Sequence, residues 1–176
     1  MKIIDLSQSL YHHMPVYPGD PPVKIEQIHT LKKEGWRLRC LQLSSHTGTH
    51  VDAFCHMDKK GKTLDEMPVN KFMGPAKLVK VSDQFPREIG LAFMGQKLPV
   101  ELWQRIKIVK APFILVDKDC DFPVELERKL LQEQVITFTD LVNFDKLPNN
   151  KKFMFYGLPL KIKDGDGSPV RAVAVL

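Results

Sequence analysis

The stretch that decides the fold and the candidate site is residues 46–56, which read His46-Thr47-Gly48-Thr49-His50-Val51-Asp52-Ala53-Phe54-Cys55-His56. Three of the six histidines of the chain fall in this run, together with one aspartate. Imidazole nitrogen and carboxylate oxygen form a ligand set that suits zinc, manganese or iron. The run therefore predicts a divalent metal site, and the alternative is a polar turn that carries histidines by chance. The potential ligands are His46, His50, Asp52 and His56.

The spacing of these residues requires a bend at Gly48. On an extended strand, His46 and His50 would lie ~13 Å apart at about 3.3 Å per residue, too far to share one ion. Glycine accepts backbone angles that other residues avoid, so a turn at Gly48 can bring the two rings together. Thr49-x-x-Asp52 matches a helix-start signature, and in a helix Asp52 and His56 would share one face. We predict a strand, a glycine turn and then a helix.

Outward from this run, short apolar stretches predict more strand than helix. Period-two alternation and compact apolar runs are typical of strands, whereas an apolar stripe spaced by three and four residues is typical of a helix. The predicted strands are residues 2–6, 36–45, 76–81, 113–117 and 135–138, with a closing hairpin formed by residues 153–162 and 170–176. A helix is predicted at residues 123–134 and a helical turn at 99–106. The fold class is therefore mixed α/β and strand-rich.

Two loops stand out by composition. Residues 14–22 hold four prolines, which fix the backbone and remove hydrogen-bond donors, so a stiff loop is predicted with Tyr17 as a possible wall of a pocket. Residues 163–169 contain two Asp-Gly pairs, which are strong turn signals. This second loop lacks the distal glutamate of a calcium-binding EF-hand, so we interpret it as a hairpin turn.

The totals exclude several classes of protein. A chain of 176 residues predicts a single domain over residues 1–176. The net charge is +5, but the lysines are scattered without a basic stripe, so nucleic acid is not an expected partner. No apolar run approaches the ~20 residues that span a bilayer, and the start is unlike a signal peptide, so no membrane partner and a cytoplasmic location are expected. The three cysteines form no CxxC pair, which predicts reduced thiols.

The histidine run resembles the HxGTHxDxPxH signature of the cyclase-like metal-dependent hydrolases, which include bacterial kynurenine formamidases and isatin hydrolases. Phe54 replaces the proline of the signature. Two further stretches look like parts of the family: residues 17–20, an aromatic-Pro-Gly-Asp loop, and residues 157–172, a closing hairpin. The resemblance covers nearly the whole chain and is weak between about residues 83 and 135. Three motifs in the same order identify the chain as a shortened, divergent member of this family.

The resemblance implies a swivelling β/β/α fold, a homodimer or higher homo-oligomer, and hydrolysis of an amide, N-formyl amide or lactam by a metal-activated water. Carried over by position, His46, His50 and Asp52 would be ligands of a divalent metal, zinc or manganese. His56 would be the catalytic acid and base, and Tyr17 would stack on a small-molecule substrate. The His₂Asp set suits zinc and manganese equally.

The sequence departs from the family at a second metal position. Binuclear members carry a further histidine in a late helix and a glutamate after the next strand. The resemblance places Glu127 and Arg128 at the histidine position and Thr139 at the glutamate position. The chain is also short, and the missing residues map between about Asp83 and Pro112.

Three outcomes stay open from the sequence. The first is an arylformamidase-like hydrolase with a single metal, and the second is a degenerate member that binds a metal or a small ligand without turnover. The third is a cyclase or dehydratase on the same scaffold. A cysteine nucleophile at Cys55 fares worse, because adjacent residues such as Cys55 and His56 rarely point towards each other and no orienting acid is evident.

Overall fold

The polypeptide is described over all its residues, Met1–Leu176, by a computed structural model. It contains two α-helices, α1 (Leu102–Ile108) and α2 (Val124–Gln132). Short 3₁₀ helices occupy Phe54–His56, Leu64–Glu66, Val69–Phe72 and Phe144–Lys146. The strands are β1 (Ile3–Asp5), β2 (Lys24–His29), β3 (Leu38–Gln42), β4 (His50–Asp52), β5 (Met73–Leu78), β6 (Gly90–Phe93), β7 (Phe113–Asp117), β8 (Ile136–Leu141), β9 (Lys152–Tyr156), β10 (Gly167–Pro169) and β11 (Val173–Val175).

Nine strands form one mixed sheet in the order β1-β11-β9-β5-β6-β7-β8-β4-β10. The central pairs β5–β6, β6–β7 and β7–β8 are parallel, and the other pairs are antiparallel. Strands β2 and β3 pair only with each other and form a separate ribbon. The prediction of a strand-rich mixed α/β fold with a swivelling β/β/α architecture is confirmed.

Alternation along β7 explains why the sheet has a core on both faces. Phe113 and Leu115 pack into one cluster of buried side chains, and Ile114 and Val116 into another. The second cluster contains buried residues of both helices, as expected for parallel strands covered by helices. The apolar run at residues 113–117 is thus a fully buried strand, as predicted.

Helix α2 begins after Pro123, whose extended ψ of 136° makes it the N-cap residue. Its apolar stripe, Leu126, Leu130 and Leu131, is fully buried against the sheet, as the sequence predicts. No helix of the structure has both the length and the apolar character needed to cross a membrane.

Several predicted elements shift or divide. The strand predicted at residues 76–81 starts earlier, at Met73, and the helical turn predicted at 99–106 is α1. The predicted closing hairpin exists as the antiparallel pair β9–β11. Its connection is more than a turn, because β10 leaves the hairpin and pairs with β4 across the sheet.

Candidate metal centre

Strand β4 places the central ligands of the candidate site. It lies between β8 and β10 and pairs antiparallel with both, with His50 opposite Thr139 and Asp52 opposite Thr137. Side chains two residues apart on a strand share a face, so His50 and Asp52 point to the same side. Val51 points into the core and is fully buried.

The helix predicted to start at Thr49 is wrong. Residues 50–52 are a strand with hydrogen-bonded neighbours on both edges, and only a short 3₁₀ turn follows at Phe54–His56. The hydroxyl of Thr49 donates to the carbonyl oxygen of Asp140 at 2.7 Å and does not cap a helix. Pairing on both sides of β4 overrides the local helix signal, so Asp52 and His56 do not meet as neighbours on a helix face.

The bend at Gly48 is present as predicted. Gly48 has a φ of +62°, and a Cβ there would lie 2.9 Å from Cδ2 of Leu10. Glycine adopts this conformation at the lowest cost, and the crowding adds to the cost of any side chain. The bend returns His46 towards the face of β4 that carries His50 and Asp52.

His46, His50 and Asp52 converge. Nδ1 of His46 lies 2.7 Å from Oδ1 of Asp52, and Nε2 of His50 lies 3.4 Å from the same oxygen. One ligand atom from each residue falls within 4.8 Å of the others. Two imidazoles and a carboxylate that face one point form a donor set for a divalent cation.

Charge complementarity strengthens this cluster. Burial raises the pKa of the Asp52 carboxyl, but His50 and His46 outweigh that effect and hold it well below its usual range. Burial lowers the pKa of His50, yet the Asp52 charge raises it to about 9. The carboxylate is therefore ionised and attracts positive charge, either on the imidazoles or on a bound cation.

The second ring nitrogen of His50 is also fixed. Its Nδ1 lies 2.7 Å from the carbonyl oxygen of Gly48, which makes Nδ1–H the donor and leaves Nε2 for the cluster. Metal-binding histidines commonly donate a hydrogen bond to an oxygen from the ring nitrogen that does not touch the metal. This bond fixes the tautomer and the orientation of the ring. These residues fit a divalent metal by the chemistry of their donors and by this orientation.

One of the predicted departures at the second metal position, Glu127, lies on the other side of Asp52. Thr137 Oγ1 donates to Oδ2 of Asp52 at 2.8 Å and lies 3.1 Å from Oε1 of Glu127. Of the Glu127-Arg128 pair, Glu127 faces the cluster, whereas Arg128 is exposed and pairs with Glu125 at 2.8 Å. Burial, followed by the charge of Asp52, raises the pKa of Glu127 to about 8.

Thr139 stands beside His50. Its hydroxyl oxygen lies 3.0 Å from Nε2 of His50, as the strand register requires. A neutral hydroxyl is a weaker metal ligand than a carboxylate, so this side of the cluster lacks the donors of a second metal.

His56 joins the cluster from the 3₁₀ turn. Its ring lies 4.0 Å from the ring of His46, centroid to centroid. Burial, followed by the neighbouring His46, lowers the pKa of His56. The adjacent Cys55 thiol is 3.6 Å from the carbonyl oxygen of Gly165, and burial raises its pKa, the opposite of an activated nucleophile.

Asp166 is the site residue that sequence reasoning missed. Its Oδ2 lies 2.9 Å from Nε2 of His46 and 3.5 Å from Nδ1 of His56. The sequence marks residues 163–169 only as a turn, and the closing-hairpin motif gave no role to this aspartate. The missing signal is the pairing of β10 with β4, which connects segments far apart in the chain.

One cavity of about 700 Å³ opens onto these residues. Tyr17 lies in its wall within the proline-rich loop, as the sequence predicts, and remains 69% exposed. The cavity is also lined by Met14, Met57, Val116, Phe122 and Val124. The cavity thus combines apolar side chains with convergent polar groups, as small-molecule sites do.

The fold and the site define a strand-rich α/β protein with a histidine–aspartate centre in a small-molecule cavity. Residues 4–117 match the Cyclase family, and the chain belongs to that family. It is 28% identical to the kynurenine formamidase of Salinibacter ruber over 210 aligned positions, which cover 98% of this chain and 97% of the relative. That alignment is longer than the 176 residues of the chain and therefore contains gaps in it, in line with a shortened member.

A second relative matches more closely over a shorter stretch. The kynurenine formamidase of Geobacillus thermodenitrificans is 37% identical over 89 residues, half of this chain (50%) and 42% of the relative. Among solved structures, isatin hydrolase A of Labrenzia aggregata, bound to benzyl benzoate, superimposes with a TM-score of 0.84 at 20% identity. It covers 98% of this chain and 93% of its own, and this likeness concerns the fold.

Proposed function

We propose that the chain is a metal-dependent hydrolase of an amide, an N-formyl amide or a lactam, similar to an arylformamidase. The observation that carries this proposal is the convergence of His46, His50 and Asp52 beside His56 in one cavity. The relatives named kynurenine formamidase and the structural neighbour named isatin hydrolase support the same class of reaction.

In this proposal His46, His50 and Asp52 hold a divalent cation, zinc or manganese. Such a cation, when bound, lowers the pKa of water and polarises a carbonyl oxygen. Asp52 supplies the negative charge of the site, and the Gly48 carbonyl keeps His50 in the tautomer that presents Nε2.

His56 moves the proton. Its imidazole accepts a proton as the oxygen of water forms the new bond to the carbonyl carbon. The same ring then donates the proton to the amide nitrogen as the C–N bond breaks, so water is divided between the two products. An imidazole suits both roles because its ordinary pKa is near neutrality.

Tyr17 and the apolar wall bind the substrate. A volume of about 700 Å³ lies within the range of small-molecule sites, roughly 300–1,000 Å³. An exposed phenol ring on a stiff loop can stack on an aromatic substrate without losing much conformational freedom.

The direct test is hydrolysis of aryl formamides and isatin by the purified protein, with zinc or manganese added after treatment with a chelator. The proposal expects turnover that disappears with the chelator and returns with one of the metals. Turnover that is insensitive to the chelator would contradict metal dependence, and no turnover with either metal would contradict the hydrolase proposal.

A second candidate function is binding of a metal or small ligand without turnover. The observation that favours it is Thr139, a hydroxyl beside His50 where the resemblance implies a metal-binding glutamate. The two candidates differ in His56→Ala, because a binding protein keeps its ligand affinity in this variant and a hydrolase loses turnover.

We also propose that residues 1–176 act as one domain in a homodimer or higher homo-oligomer. The support is the β2–β3 ribbon with its connecting loop, on which Trp36, Leu38 and Leu41 are more than 40% exposed. Size-exclusion chromatography with light scattering checks this, and a monomer at micromolar concentration would contradict it.

A further inference from the structure

Asp166 is the one carboxylate that contacts both a proposed metal ligand and the proposed proton carrier. Its Oδ2 lies 2.9 Å from Nε2 of His46 and 3.5 Å from Nδ1 of His56, and the two rings are 4.0 Å apart. We propose that Asp166 is a positioning residue, which fixes the His46 ring for the metal and holds His56 beside it. The roles of His46 and His56 in this inference rest on the proposed function.

The hydrogen bonds of His46 decide which nitrogen serves which partner. Nδ1 faces Oδ1 of Asp52 at 2.7 Å, on the side where the three ligands converge, and Nε2 faces Asp166. A neutral imidazole has one N–H and one lone pair. If the lone pair of Nδ1 binds the metal, the proton must sit on Nε2, and Asp166 is the acceptor that selects this tautomer.

The same arrangement occurs at both imidazole ligands with different acceptors. His50 directs its second nitrogen to the backbone carbonyl of Gly48, whereas His46 directs its second nitrogen to a side chain. A carboxylate that accepts from a metal-binding imidazole also increases the basicity of that ring. Because this acceptor is a side-chain carboxylate, a mutation can remove it without changing the backbone. The backbone carbonyl of Gly48 cannot be removed in this way.

The loop that carries Asp166 is anchored on both sides. The amide of Ala53 donates to the carbonyl oxygen of Asp166 at 2.9 Å, and the amide of Leu64 donates to that of Gly165 at 2.9 Å. Gly167 pairs with Asp52 in the β4–β10 register. These contacts fix the position of the carboxylate although its side chain is 47% exposed.

Gly167 completes the fit to His46. A Cβ at this position would lie 2.5 Å from Cε1 and 2.9 Å from Nδ1 of the His46 ring. The loop thus approaches the imidazole so closely that only glycine leaves room for it. Gly167 therefore lies against the Cε1–Nδ1 edge of the ring, while Asp166 holds Nε2.

For His56, the contact with Asp166 is longer and is secondary to the bond with His46. This contact keeps Nδ1 of His56 facing Asp166, so Nε2 of His56 is the atom that can exchange a proton with a substrate. Asp166 therefore has two effects: it strengthens binding of the metal and it aligns the proton carrier.

The test compares Asp166→Asn and Asp166→Glu with Asp164→Asn as the matched control. Asp164 is exposed, lies two residues away in the same loop, and contributes only its backbone amide, which donates to Asp65. Asparagine tolerates the left-handed backbone at residue 164, so the control removes one charge without new strain.

The first readout is the zinc dissociation constant, measured by competition with a chromophoric chelator in the absence of substrate. Loss of a partner of this kind weakens metal binding by about 10- to 100-fold, which we expect for Asp166→Asn. Asp164→Asn should match the wild type, and Asp166→Glu, which keeps the charge, should recover part of the affinity. Equal zinc affinity in Asp166→Asn and the wild type would overturn the inference.

The second readout is stoichiometry, because His46, His56 and Asp166 also bring three ligand atoms within 4.8 Å of one another. Two zinc ions per wild-type chain, reduced to one in Asp166→Asn, would make Asp166 a ligand and overturn its positioning role. One ion per chain in both proteins agrees with the inference.

A third readout separates positioning from simple structural support. In zinc-saturated enzyme, Asp166→Asn should lower kcat for an aryl formamide and leave KM nearly unchanged, because His56 acts in the transition state. A change in KM alone would contradict the effect on His56. A wild type without formamide turnover would contradict the proposed function, and the zinc affinities would still decide the inference.

Discussion

The two oxygens of the Asp52 carboxylate have different neighbours, although they belong to one side chain on strand β4. Oδ1 faces the rings of His46 and His50, whereas Oδ2 faces the hydroxyl of Thr137. On the first side, the imidazole nitrogens that face the carboxylate can release their protons and bind a cation instead. On the second side, the polar atoms already bind one another. The comparison indicates that Asp52 belongs to a metal site on one side only.

The second side of Asp52, the side of Oδ2, is closed to a cation because its polar atoms already share the available protons. The Thr137 hydroxyl has one proton and lies between two carboxyl oxygens, those of Asp52 and Glu127. It donates to Asp52, so the contact with Glu127 requires a proton on Glu127. The pKa of Glu127, raised to about 8 by burial and by Asp52, provides that proton at neutral pH. A network satisfied in this way leaves no ligand for an ion on this side of Asp52.

The largest effect should come from Asp52→Asn, which removes the charge that both sides share. We expect zinc affinity to fall by more than about 1,000-fold, beyond the about 10- to 100-fold loss typical of residues that only support a ligand. Competition with a chelator measures this. Asp20→Asn, in the cavity wall but not among the converging ligands, is the control and should bind zinc normally. Zinc affinity that survives in Asp52→Asn would refute the comparison itself.

His56→Gln should lower turnover without lowering metal binding on the histidine side of Asp52. Loss of a general acid or base lowers kcat by about 100- to 10,000-fold, and zinc content should stay at the wild-type level. Steady-state kinetics and metal analysis of the same preparation check both parts. If zinc is lost together with activity, His56 is a ligand and its proposed role is wrong.

Thr137→Val tests the closed side, because it leaves Oδ2 of Asp52 buried without its donor. The expected loss in the free energy of unfolding is about 1–3 kcal/mol, the usual penalty for an unsatisfied buried polar group. Urea denaturation measures it. Thr137→Ser keeps the hydroxyl and should retain most of the stability, so equal losses in both variants would show that packing, not the hydrogen bond, is responsible.

The pH dependence of stability should differ in sign between metal-free and zinc-loaded protein. The pKa of His50 rises from 6.5 to about 9 on folding, so its contribution is complete below pH 6.5 and is lost as the pH rises through about 9. Metal-free protein should lose more than about 1 kcal/mol over this range. Zinc requires neutral imidazole, so its stabilising effect should increase as the pH rises from acid to neutral. Metal-free protein that becomes more stable between pH 6.5 and 9 would contradict this account.

Glu127→Gln should have the smallest effect. Its amide N–H can replace the carboxylic O–H as a donor to Thr137, so stability should change by less than about 1 kcal/mol. The number of zinc ions per chain should not change. A change in that number would identify Glu127 as a metal ligand and would remove the distinction between the two sides of Asp52.

Local features of the site could be predicted from the sequence because short-range physics determines them. Gly48 bends as expected since its backbone accepts a positive φ, and the apolar run at 113–117 is a buried strand. Tyr17 lies in the cavity wall because the prolines around it prevent helix and strand. The order of ligands and the strand-rich fold class follow from such local rules.

What could not be predicted depends on contacts between distant segments. Residues 50–52 look like a helix start by spacing, and their pairing with β8 and β10 makes them a strand. The sequence pattern indicates that Asp166 is a turn residue. It reaches His46, 120 positions earlier in the chain, only because β10 pairs with β4. Ribbon strand β2 and buried strand β6 were also not predicted.

The central claim is that one divalent metal binds on the histidine side of Asp52. Inductively coupled plasma mass spectrometry of wild type and His50→Ala, after incubation with zinc and manganese and removal of free ions, tests it most directly. His13→Asn, a change of an exposed histidine outside the cluster, is the control. The account predicts about one metal ion per wild-type chain and per control chain, and almost none in His50→Ala. A wild type without bound metal, or a His50→Ala variant with full metal content, would contradict it.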